Sequence, residues 1–303
     1  MDIADGSAAA DRQGSITLQV MQRWPVCLYD AAMSITSTHP VHRAAPASFG
    51  QHLRTWRQRR HLSQLDLAQE ADISTRHLSF VETGRAEPSR EMVLRLAERL
   101  NIPLRERNAL LVAAGYAPMY RERPLDDPAL ASARQAVGLV LQGHEPYPAL
   151  AVDRHYNVVA TNRVVPLFLE GIAPELLQPP LNVVRLSLHP GGIAPRIVNL
   201  LQWRAHIFER LRQQIAVTAD PMLVELLNEV RAYPVPDTPP EQHLEGEYLG
   251  VVMPFKLRSP VGVLSFISTL TIFGTPNDVT LQELAVEPFF PADEFTAGVL
   301  RGR

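Results

Sequence analysis

Apolar residues recur at helical spacing in five short stretches between residues 48 and 120. Ser48 precedes Phe49, Leu53 and Trp56, an i, i+4, i+7 face. Ser63 precedes the second stretch, with Asp66 three residues on as a capping-box variant and Leu65, Leu67 and Ala68 as its apolar side. Ser74 starts the third, which turns Leu78 and Val81 inward and stops at Gly84. Ser89 leads into a stripe of Val93, Leu96, Ala97 and Leu100. A fifth helix opens at Pro103, runs through Ala114 and ends at Gly115.

The texture changes after residue 120. RERPLDDP, residues 121–128, is polar and proline-bearing and reads as a linker. Ala129–Gln142 reads as a helix. The apolar runs Ala149–Val152 and Val158–Thr161 form a hairpin candidate. Long amphipathic patterns cover Pro195–Val217 and Pro221–Ala232, the second capped by Asp220. A proline-rich break, Pro234–Pro240, separates them from two strand candidates, Gly250–Leu257 and Val261–Phe273, joined by a turn at Ser259–Pro260. Leu284–Phe290 is a last strand. The two ends, 1–47 and 294–303, read as tails, the first broken by Pro40 and Pro46. Met33 is a natural shorter start, so the expectation is that residues 1–32 are not translated.

Composition changes this picture in only a few places. Hydrophobic residues make up 46 % and charged residues 20 %, as in globular domains. No run approaches the ~20 apolar residues that cross a bilayer, and no secretory pattern opens the chain. Cys27 is the only cysteine, which excludes an intrachain disulfide and a cysteine-built metal site. The expected location is cytoplasmic and nucleoid-associated, with no membrane partner. The net charge of −3 conceals an asymmetry: residues 1–123 carry 16 basic and 13 acidic side chains, and the remainder 13 and 19. Lys256 is the only lysine, so arginine supplies nearly all positive charge.

The chemistry concentrates in LSQLDLAQEADISTRHLSFVETGRAEP, residues 62–88. Two short capped helices joined by a tight turn form a helix-turn-helix unit. Ser63-Gln64, Leu67-Ala68, Ile73-Ser74, Leu78, Glu82, Gly84 and Pro88 resemble, in type and spacing, the repressor/Cro (XRE-type) family. The resemblance implies an all-α, lambda-repressor-like domain over residues 48–120 that binds double-stranded DNA. In such units the N-terminal residues of the second helix meet base edges. Here these are Thr75 and Arg76, then Ser79 and Phe80, and the capping Ser74 before them joins the DNA-binding set. Arg76 suits a two-pronged guanine contact, and Thr75 or Phe80 a thymine methyl. The resemblance implies that Gln64 contacts backbone phosphate and sometimes a base, and Arg85, after Gly84, is expected at phosphate. Arg59 and Arg60 are weaker phosphate candidates. Glu82 would lie against acidic DNA, and the resemblance instead implies an ion pair with Arg57.

The segments YPALAVDRHYNVVATN, NVVRLSLHPGGIAPRIVNLLQWRAH and FGTPNDVTLQELAVEPFFPAD resemble a subgroup whose second domain is an MmyB-like ligand-binding domain. The resemblance implies, over residues 129–293, an α+β PAS-type fold: a five-stranded antiparallel sheet with helices over one face. It also implies a pocket for a small apolar or fatty-acid-like ligand. Asn162, Arg185, His189, Arg196, Trp203 and Phe266 are the pocket candidates, an arginine being suited to a ligand carboxylate. An enzyme is not expected: the histidines of this domain lack metal spacing, no Gly-x-Ser-x-Gly elbow occurs, and Lys256 has no marked serine partner. No cofactor and no metal is expected. The sum is a transcription regulator, expected as a homodimer on a pseudo-palindromic operator. A protein-docking or antitoxin-like role for the first domain is the alternative, separated by salt-sensitive, sequence-selective DNA binding.

Overall fold

The computed structural model describes residues 48–235, 253–272 and 278–302. The 1–47 tail and the Met33 start lie outside these residues. So do most of the Pro234–Pro240 break, the first residues of the Gly250–Leu257 strand, and Phe273.

Five helices follow Ser48: α1 (Phe49–Arg59), α2 (Gln64–Glu70), α3 (Thr75–Glu82), α4 (Arg90–Arg99) and α5 (Leu104–Ala113). The serines foreseen as caps do cap. Ser48 and Ser63 form reciprocal boxes with Gln51 and Asp66, and Ser74 and Ser89 accept from the backbones of His77 and Met92. Each satisfies orphan donors of a first turn. The helices enclose one core of Phe49, Leu53, Trp56, Leu67, Ala68, Leu78, Val81, Val93, Leu96, Leu100, Leu110 and Leu111. Leu65 is a correction. It is 53 % exposed, because residues two apart on a helix point to nearly opposite sides, and Leu67 holds the inward position.

At Gly50, α1 lies directly against the end of α3. A Cβ there would stand 2.3 Å from the Glu82 carbonyl oxygen and 2.7 Å from that of Val81. Backbone cannot yield as a flexible side chain does. Gly50→Ala is therefore expected to cost about 1–3 kcal/mol or somewhat more through overpacking. Urea unfolding of the full chain measures it, and an unchanged midpoint would show that the crossing is looser than described.

After α6 (Ala131–Gly143) the chain forms an antiparallel sheet of β1 (Ala149–Val152), β2 (Val158–Thr161), β3 (Phe255–Ser259), β4 (Gly262–Ser268), β5 (Thr271–Ile272) and β6 (Ala285–Pro291). The order is β2-β1-β6-β4-β3, with β5 also on β6. Because β4 meets β6 at Phe289–Pro291 and β5 meets it at Ala285–Val286, the two occupy one lane. The single strand expected over Val261–Phe273 is thus interrupted at Thr269–Leu270, and the sheet has five lanes.

The other helices are α7 (Val183–Leu188), α8 (Leu200–Thr218), α9 (Pro221–Arg231), α10 (Val279–Gln282) and α11 (Glu294–Leu300). One sheet face, with Leu150, Val152, Leu257 and Ala285, packs on Val184 and Leu188 of α7, Trp203, Ile207 and Leu211 of α8, and Leu223, Leu226, Leu227 and Val230 of α9. The other, with Ala149, Ala151, Ala160 and Val286, packs on Val137 and Leu141 of α6. Helices therefore lie on both faces, not one. The apolar run Ala149–Val152 is buried at every position and needs cover on both sides.

Three expectations change. The helix foreseen from Pro195 begins at Leu200. Ile197 and Val198 instead bond to the edge of β3, where the Val198 N–H donates to the Lys256 carbonyl at 2.9 Å. The supposed tail at 294–303 contains α11, capped by Asp293, whose Thr296 hydroxyl accepts from the Ser265 N–H at 2.9 Å. The 121–128 segment is no free tether. Arg123 reaches Asp278 at 2.9 Å, the Thr280 hydroxyl donates to the Arg123 carbonyl at 2.6 Å, and the Val279 N–H donates to that of Arg121 at 2.8 Å.

On α5, burial pushes the Glu106 carboxyl above the ordinary carboxylate range, against Arg154 and Arg105, with Asp220 and Glu283 adding to the rise. The folded chain then holds this proton more tightly than the unfolded chain. The group's stabilising contribution is complete below its unfolded pKa and is lost as pH climbs through the folded one. Glu106→Gln should therefore gain melting temperature over the parent as pH rises through that window. A difference independent of pH would exclude the carboxyl as its source.

Candidate nucleic-acid interface

The unit that carries Thr75 and Arg76 is built around a turn at Asp72, which takes a positive φ of 53°. Aspartate tolerates that conformation better than most side chains. The Ile73 N–H closes on the Ala68 carbonyl at 3.0 Å, ending α2 and delivering Ser74 to cap α3. Leu78 and Val81 are buried, so the first turn of α3 faces outward: Arg76 is exposed, and Thr75, Ser79 and Phe80 are partly so. Gly84, at φ 74°, then turns the chain away. The Arg85 N–H bonds the Phe80 carbonyl at 2.7 Å, while its side chain stays in solvent.

A buried polar knot fixes the relation of α1, α2 and α3. Arg57 Nε and Nη2 donate to the two Glu82 oxygens at 2.7 and 2.9 Å, and its Nη1 donates to the Leu62 carbonyl at 2.9 Å. The Glu82 hydrogen bond holds the Arg57 guanidinium above its ordinary pKa despite burial. Gln64 Nε2 donates to Glu82 at 2.8 Å, which locks the glutamine at the head of α2. Arg76 has a different setting. Its guanidinium lies 5.4 Å from the centre of the Phe80 ring and makes no ion pair with any described residue. The ring orients the cation without consuming its donors.

Arg60 departs from expectation. It stacks 5.3 Å from the Trp56 ring and donates to the carbonyls of Leu100, Asn101, Ala216 and Val217 at 2.8, 3.2, 3.3 and 3.4 Å. A guanidinium so engaged is not free for phosphate. Neither acceptor pair forms a sequence pattern, so only the folded chain shows this role.

In the second domain, Trp203 and Phe266 come together. Their link is Phe255, 4.8 Å from Trp203 and 6.4 Å from Phe266, and Phe168 and Phe289 pack on Phe266 as well. Trp203 Nε1 donates to the Ser187 hydroxyl at 3.0 Å. The same sheet face carries a buried ion pair that sequence reading missed: Arg210 on α8 reaches Glu287 on β6 at 2.9 Å and lies 5.2 Å from the Tyr156 ring. Burial, reinforced by Arg210, lowers the pKa of the adjacent His206.

The other pocket candidates make hydrogen bonds within the chain. Asn162 ties β1 to α6, accepting from the Ala149 N–H and donating to the carbonyls of Leu141 and Tyr147. Arg185 forks onto Glu229 at 2.8 and 2.7 Å. His189 Nδ1 accepts from the Gly191 N–H at 3.0 Å. Arg196 donates to the carbonyl of Phe168, a member of the aromatic group.

Comparison with known proteins agrees with both halves. A helix-turn-helix family model matches residues 53–107, and the model of the MmyB-like transcription regulator ligand binding domain matches residues 133–302. No curated protein matches the chain. Among solved structures, a chain described as an RNA-binding light-oxygen-voltage receptor is 13 % identical, covers 99 % of this chain and 67 % of its own length, and has a TM-score of 0.26, too low to support an argument. On its matched domains, the chain belongs to the MmyB-like family of DNA-binding transcription regulators, a helix-turn-helix joined to a ligand-binding domain.

Proposed function

We propose that this regulator binds a short inverted repeat in double-stranded DNA as a homodimer, reading bases with Thr75, Arg76, Ser79 and Phe80. Gln64, Ser74 and Arg85 hold the sugar-phosphate backbone. The observation that carries this reading is the setting of Arg76: exposed on the first turn of α3, braced by Phe80, its donors unspent among the described residues. A fork of that kind matches guanine O6 and N7. One such helix reads only a few base pairs, and pairing two about one DNA turn apart, ~34 Å, supplies the rest. The second domain senses a small apolar molecule held near Trp203, Phe255, Phe266 and Phe289, and its occupancy shifts the population of DNA-competent dimers.

Selection from random genomic fragments with the full chain tests the DNA reading. An enriched inverted repeat, with affinity that falls steeply with salt, is the expected result. Enrichment of nothing at moderate salt would favour the docking role instead. Native mass spectrometry of gently purified protein tests the second half: a small mass retained by the parent and lost in Phe266→Trp is expected. Identical spectra for the two would remove the aromatic group as the site.

A further inference from the structure

The two domains meet through side chains placed on both sides of the boundary. Gln282, the last residue of α10, accepts through Oε1 from the Leu104 N–H at 2.8 Å, an otherwise orphaned donor at the start of α5. Pro103 precedes that helix with no side-chain cap, so Gln282 does from the other domain what a serine does at four helices here. Next to it, Arg105 forks onto Glu283 at 2.8 and 2.9 Å and also meets Glu122 at 2.5 Å. Arg154, between β1 and β2, stands 3.6 Å from both Glu283 and Asp220, and His155 bonds Asp220 at 2.9 Å. On the far side, the last carbonyls of α8 receive Arg60, the residue after α1, at the negative end of the helix dipole. Ala219, in the left-handed turn after α8, packs on the helical core. The 121–128 segment is pinned to α10 as well.

We propose that this joint is a positioning device: it fixes the orientation of the helix-turn-helix on the second domain, so that in a dimer the two recognition helices are presented at operator spacing. The proposal rests on the dimer reading above. Its physical basis is effective concentration. A flexible tether leaves the second half-site contact to a broad search, whereas a fixed joint pre-pays that ordering. The residues responsible are Gln282 and Glu283 on one side and Arg60, Leu104 and Arg105 on the other, none of which belongs to the DNA-reading set. Arg60 also lies one turn from Arg57, so the contact bears on the helix that anchors Glu82 and Gln64.

The test compares binding of the full chain to the selected inverted repeat and to a single half-site. Two charge reversals act from opposite sides of the joint: Glu283→Arg sets a cation against Arg105 and Arg154, and Arg105→Glu sets an anion against Glu283 and Glu122. Each is expected to weaken binding to the repeat at least ~10-fold while half-site affinity stays within about twofold. Sedimentation velocity should show both variants still dimeric. Repeat binding unchanged in both variants overturns the proposal. So does an equal loss on the half-site, which would mean that α5 is merely destabilised, and so does conversion to monomer, which would make the joint an assembly element. A parent chain with no preference for the repeat would instead sink the dimer reading, and this inference with it.

Discussion

Glu82→Ala is expected to destabilise the helix-turn-helix domain by about 3–5 kcal/mol, because it leaves the buried Arg57 guanidinium without its counter-charge. The side chain of Glu82 is 2 % exposed and that of Arg57 10 %. Water therefore cannot replace the lost carboxylate. A surface pair of the same length would contribute ~1 kcal/mol or less. Removing both charges, as in Arg57→Met with Glu82→Leu, should recover most of the loss, since apolar groups of similar volume need no partner. Circular dichroism of each variant during urea unfolding measures this. If Glu82→Ala unfolds with the parent's midpoint, the knot is not what holds α1 to α3. The rescued double variant separates folding from recognition. It should fold but bind DNA more weakly than the parent, because Gln64 has lost the carboxylate that fixes it at the head of α2.

This knot was half legible in the sequence. Arg57 and Glu82 were paired through the family resemblance, because an acid facing DNA needs another explanation. The role of Gln64 as its third member was not, since a glutamine at a helix start gives no sign of which acceptor it will find. Legibility followed the range of the interaction. Serine caps, the tight turn and, Leu65 apart, the inward stripes are decided within about four residues, and these were readable. The pairing of Ile197 and Val198 with β3, the cap that Gln282 lends to α5 and the capture of Arg60 by α8 join residues far apart in the chain. Their local sequence is ordinary. Asn162, Arg185 and His189 are pocket candidates through the family resemblance, Arg185 for its fit to a carboxylate. Asn162 and Arg185 bond partners far along the chain, Tyr147 and Glu229, which their local sequence does not announce, whereas His189 accepts from Gly191 only two residues on.

The joint gives the second domain a route to the first. Helix α8 carries Trp203, Ile207 and Leu211 in the interior and offers its last carbonyls to Arg60. Strand β6 carries Ala285 and Phe289 inside and begins just after Glu283, the partner of Arg105. A molecule that favours one arrangement of these two elements would bias the joint by its difference in affinity for the two arrangements and by no more than that.

Arg76→Ala is expected to abolish discrimination at one base position in each half-site, costing about 1–3 kcal/mol per half-site and roughly twice that on a two-fold operator. The domain itself should be unaffected. Arg76 is exposed, makes no ion pair with any described residue, and lies over the Phe80 ring, so its removal leaves no buried group unsatisfied. Arg85→Ala provides the contrast. Loss of a phosphate contact weakens binding to all sequences about equally and reduces the steepness of log affinity against log salt by roughly one. Base-resolved selection with the parent and both variants distinguishes the two. If Arg76→Ala lowers affinity uniformly and leaves every base preference in place, Arg76 is a phosphate ligand. Base reading would then pass to Thr75 and Ser79, the other partly exposed polar side chains on that face of α3.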